Sequence, residues 1–124
     1  MIKKADSMII DLNEKEQGGK GQVEIKHVYE PEELTGKLKL CALISLNPGC
    51  SIGYHQHFDE DEIFYVIRGK GIIIDNGIEE QIAIGDGHLL RGGQFHSIEN
   101  TGEELLEVMA IILPYVYEHE INSF

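Results

Sequence analysis

GCSIGYHQHFDEDEIFYVIRG, residues 49–69, is the stretch whose reading decides the fold. In an extended chain successive side chains point to opposite faces, so His55 and His57 share a face. Asp59, Glu60 and Asp61 form an acidic connection that offers alternative carboxylates but is read as a solvated loop, and Glu62 then opens the apolar run Ile63–Ile67. A tight return through that loop brings the Glu62 carboxylate back to the two imidazoles. Three such donors make a mixed nitrogen and oxygen site of the kind that holds a divalent metal. A fourth imidazole would complete it.

Working outward, the segments on either side also read as strands. Leu38, Leu40, Ala42, Ile44 and Leu46 are predicted to face a core, with Lys37, Lys39 and Ser45 on the other side. Met8–Ile10 and Val23–Tyr29 precede them, and Pro31-Glu32-Glu33 is predicted to form one short helical turn. Glu62–Arg68 is apolar at nearly every position, which predicts a strand covered on both faces. Beyond Gly69, Ile72–Asp75 and Ile78–Ile84 flank Asn76-Gly77, a type I′ hairpin signal. His88–Arg91, Phe95–Asn100 and Leu105–Leu113 complete the series. Short strands at regular spacing, with no amphipathic helix among them, imply an all-β sandwich or barrel.

The bulk numbers agree. A chain of 124 residues is sized for one domain, 1–124, with a core over about 23–113, an N-terminal arm 1–22 and a tail 114–124. A net charge of -12 excludes the basic surface that nucleic acid or an anionic membrane requires. The N-terminus lacks a signal-peptide core, and no run approaches a membrane span. Cys41 and Cys50 have no metal-ligand spacing, and a cytoplasmic setting with reduced thiols is expected.

His96 is the candidate for the fourth imidazole, and its surroundings give it weight. Gly49, His55, His57, Glu62 and Gly69 are spaced by five, one, four and six residues, and Gly85, Gly93, His96 and Asn100 follow fifteen residues later. This pattern resembles the two motifs of the cupin superfamily, with one departure: Arg91 stands where the family usually has proline. The resemblance implies a single antiparallel β-barrel of jelly-roll type. It also implies that His55, His57, Glu62 and His96 hold one divalent transition metal (Mn, Fe, Ni, Co or Zn) inside the barrel.

Such a set leaves room on an octahedral ion for a small anionic, oxygen-rich ligand. The reading favoured here is a metal-dependent enzyme acting on a small carboxylate or related metabolite, with oxalate-type decarboxylation or oxidation, or dioxygenase-like chemistry, as specific forms. Two features of the family weigh on these forms. Oxalate decarboxylases are long two-barrel chains with a lid loop, and thiol dioxygenases use three histidines without the glutamate. The alternative is a binding or sensing module with a structural metal. Arg68, His88 and Arg91 are candidate catalytic side chains, each with a competing reading as surface charge. Asn100 shares parity with His96 and is the candidate for a hydrogen bond behind the ligands. Ile63, Tyr65 and Ile67, with Met109 and Ile111, form an outward apolar face that the N-terminal strand or a second copy must cover, and a homodimer is expected.

Overall fold

The structure is a computed structural model that describes residues 1–115. The tail from residue 116 onward lies outside the described residues. Ten strands run in order: β1 (Ile9–Glu14), β2 (Gln22–His27), β3 (Leu40–Leu46), β4 (Ser51–Gln56), β5 (Glu60–Arg68), β6 (Lys70–Asp75), β7 (Ile78–Ala83), β8 (Gly87–Leu90), β9 (Phe95–Glu99) and β10 (Leu106–Pro114). Short 3₁₀ turns at Ala5–Ser7, Glu16–Gly18 and the expected Pro31–Glu33 are the only helical pieces described.

The strands form a six-stranded sheet, β1-β2-β3-β10-β5-β8, and a four-stranded sheet, β4-β9-β6-β7. All pairings are antiparallel. The expected closed barrel is not formed by backbone pairing. Instead two separate sheets pack their inner faces together in the jelly-roll manner.

Alternation explains the core. Ala42, Ile44 and Leu46 of β3, Phe64 and Val66 of β5, and Leu106, Val108 and Ala110 of β10 all point inward and are buried. All but Ala42 meet Ile52, Ile73 and Ile98 of the opposing sheet in one cluster. Each large side chain so buried contributes about 1.5–3 kcal/mol. The Asn76-Gly77 turn has positive φ at both residues, as type I′ requires.

Three expectations are corrected. β1 extends to Glu14, beyond the short strand expected, because its backbone pairs with β2 along six residues. β5 begins at Glu60, so the acidic residues are not all loop. That strand is also covered on one face only: Ile63, Tyr65 and Ile67 remain exposed, and β1 joins the sheet edge rather than lying over them.

The connection after β1 packs closely on β4. A Cβ at Gly53 would lie 2.1 Å from the Gln17 carbonyl oxygen, a main-chain atom with little freedom to retreat. Gly53→Ala is therefore expected to destabilise the fold by about 1–3 kcal/mol, read as a lower urea midpoint with an unchanged slope.

Candidate metal centre

The four donors come from three strands and one loop. His55 lies on β4 and His96 on β9, and the two are direct partners in that ladder. His57 sits just past β4, where its carbonyl accepts from the Gly93 amide at 2.7 Å. Glu62 is the third residue of β5 and is 4% exposed. Inward alternation on β5 delivers its carboxylate to the three rings.

The Nε2 of His55 lies 3.0 Å from that of His57 and 3.2 Å from that of His96. Oε1 of Glu62 lies 3.1 Å from Nε2 of both His57 and His96. All four donor atoms fall within 4.8 Å of one another. Donors about 2.1–2.2 Å from an ion are about 3.0–3.1 Å apart on the edge of an octahedron, against ~3.4 Å on a tetrahedron. Four of the six donor separations, at 3.0–3.2 Å, are short enough for the atoms to share one ion.

The far side of each ring is also occupied. His55 Nδ1 is 2.6 Å from the Gly53 carbonyl oxygen, which can only accept, so this nitrogen carries the proton. His57 Nδ1 is 2.6 Å from Glu60 Oε2. His96 Nδ1 is 3.2 Å from His88 Nε2, and the His96 ring stacks on Phe64 with centroids 5.2 Å apart. Protons held on Nδ1 of His55 and His57 would leave their Nε2 lone pairs free for a metal, the tautomers such a site needs.

The electrostatics follow the same geometry. Burial raises the Glu62 pKa, but hydrogen bonds and charge from His57 and His96 overcome it and bring the group to about 2. His57 is raised, first by its bond to Glu62 and then by Glu60, against the opposing effect of burial. Burial lowers His96 and His88 despite their acidic neighbours.

A scan of family models matches residues 42–112 to the cupin domain, more than half of the chain. The chain is a cupin. It is 43% identical over 97 residues to a Thermotoga maritima protein named oxalate-binding protein, covering 78% of this chain and 80% of the relative. It superposes with TM-score 0.88 on a T. maritima crystal structure described as a predicted oxalate decarboxylase. That match is 37% identical and covers 93% of this chain and 100% of the other. A cupin from Salinispora arenicola, 18% identical with TM-score 0.71, covers 99% of this chain and 93% of its own, and shares the fold.

Against this cupin frame, several expected roles change. Arg68 leaves the inner face because a bulge between Glu107 and Val108 shifts the register. It lies 3.8 Å from Glu107, 58% exposed and about 20 Å along the strand from Glu62. Arg91 is exposed at the loop before β9. Its amide donates to Gln94 Oε1 at 3.0 Å, a bond the family's usual proline could not make.

Asn100 is not behind the ligands. Its amide nitrogen donates to the carbonyls of Leu46 and Glu104, both at 2.8 Å, and its oxygen accepts from the Gly102 amide. It ties the turn after β9 to β3. His88 is half-buried, with Nε2 on His96 Nδ1, and lines a cavity with Ile73, Asp75 and Glu80.

Glu60, read from sequence as solvated, is 6% exposed and bonded to His57. The signal was present: Glu60, Glu62 and Phe64 share one parity on β5.

In the metal-free protein, a carboxyl lowered from 4.5 to about 2 contributes stability above about pH 4.5 and loses it as pH falls through 2. Urea unfolding at each pH is expected to show a Glu62→Gln variant with a flatter acid limb than wild type over this window.

Proposed function

We propose that His55, His57, Glu62 and His96 hold one divalent metal and that its ligand is a small chelating carboxylate of the oxalate class. The observation that carries this reading is the convergence of four donor atoms with edges of 3.0–3.2 Å, each ring secured from behind. Three imidazoles and one carboxylate suit Mn, Fe, Co, Ni or Zn. Such an ion would supply a Lewis-acid centre with two positions open for the oxygens of an acid.

The chain's own residues supply the walls. Leu90 and Ile112 flank Glu62 on the neighbouring strands, and Phe64 lies against His96. These apolar surfaces suit a compact ligand whose charge is met at the donor cluster rather than by a distant cation. The name of the T. maritima relative, oxalate-binding protein, supports the same class.

Protein purified without a histidine tag is expected to carry about one metal per chain, and His57→Ala or His96→Ala to lose most of it, by elemental analysis. Equal metal in wild type and variants would sink the assignment. With metal bound, calorimetry is expected to show saturable oxalate binding that acetate does not reproduce. CO₂ release from oxalate, lost in Glu62→Gln, would make the protein an enzyme; binding without release makes it a binding module.

The outer face of the six-stranded sheet supports the homodimer. Two cross-strand rows, Leu43–Met109–Tyr65 and Cys41–Ile111–Ile63–Leu89, are apolar across neighbouring strands, and Tyr65 is 50% exposed. A patch of this kind on a lone chain calls for a second copy. Sedimentation is expected to give a dimer that Tyr65→Lys shifts to monomer; a wild type monomeric at every concentration would refute it. Among the described residues no helix is long and apolar enough to cross a membrane. The unpaired thiols of Cys41 and Cys50 suit the proposed cytoplasmic setting.

A further inference from the structure

Glu60 opens β5 with its carboxylate turned into the protein, where an unpaired charge would be costly. Each of its oxygens is engaged. Oε1 accepts from Lys39 Nζ at 2.7 Å and Oε2 from His57 Nδ1 at 2.6 Å. Lys39 reaches it from the segment before β3, where its own amide donates to the Ile112 carbonyl.

The three imidazoles of the cluster are thus backed by different chemistry. A main-chain carbonyl holds His55, an imidazole and a stacked phenyl ring hold His96, and a charged carboxylate holds His57. A carboxylate behind a ligating imidazole fixes its ring and tautomer and raises its basicity.

We propose that Glu60, anchored by Lys39, is a positioning residue that orients His57 and strengthens the hold of the cluster on a divalent metal. This rests on the metal reading above. A merely structural Lys39–Glu60 pair, joining the segment before β3 to β5, would affect stability but leave the His57 Nδ1 proton and the metal affinity untouched.

The test uses Co(II) as the probe, with affinity by calorimetry and the exchangeable imidazole N–H resonances that the paramagnetic ion shifts out of the protein envelope. Glu60→Ala is expected to weaken Co(II) binding about 10–100-fold. The His57 N–H signal should disappear through exchange with water, while that of His55, held by the Gly53 carbonyl, persists. Glu60→Gln retains an acceptor oxygen and should keep the signal with faster exchange and a smaller loss of affinity. Lys39→Met should show the same pattern more weakly.

Wild-type affinity and unchanged N–H signals in Glu60→Ala would overturn the proposal. If that variant does not fold, wild-type exchange and affinity in both Glu60→Gln and Lys39→Met would do so. A wild type that takes up no Co(II) would instead overturn the metal assignment itself.

Discussion

Three imidazole nitrogens and one carboxylate oxygen crowded to 3.0–3.2 Å inside apolar walls are the constraint on which the rest of this molecule depends. Lone pairs aimed at a common point repel unless protons or a cation lie between them. Side chains left to themselves would rotate apart. They are held because each ring is restrained at its far nitrogen and because three strands and a loop deliver them at fixed registers. The glutamate is the shared partner, and its depressed pKa shows how much the imidazoles favour its charged form.

The same constraint explains the loops at this end of the fold. The Gly93 amide donates to the His57 carbonyl, so the two motif segments are tied by the backbone directly beside the site. Asp61 accepts from the Gly92 amide at 3.0 Å and from the Tyr115 hydroxyl at 2.7 Å, and the end of β10 thereby closes on both. Gly93 adopts φ +89, a conformation that favours glycine, and Arg91 uses an amide hydrogen that proline lacks. The departure from the family motif is thus accommodated by a local hydrogen bond two residues from the glycine that makes the bend.

On the opposite side of the six-stranded sheet the logic is different. Alternation that sends Glu62, Phe64 and Val66 inward must send Ile63, Tyr65 and Ile67 outward, whatever lies there. The apolar content of β5 therefore splits in two: one set of side chains forms the core and site, and the other an exposed apolar surface.

Much of the site was legible in the chain itself. Alternation and a tight return, both local properties, give His55, His57 and Glu62 a common direction, and the resemblance of the motif spacing to the cupins added His96. The Asn76-Gly77 turn and the inward face of β3 were legible for the same reason. What only the tertiary structure decided were matters of partnership between distant segments. Glu60 became a buried support because Lys39, twenty-one residues away, meets its second oxygen. Arg68 turned outward because β10 bulges beside it, and Asn100 was consumed by the carbonyls of Leu46 and Glu104. Periodicity sets the side a residue faces; what waits for it there is set by register, and register belongs to the assembled sheets.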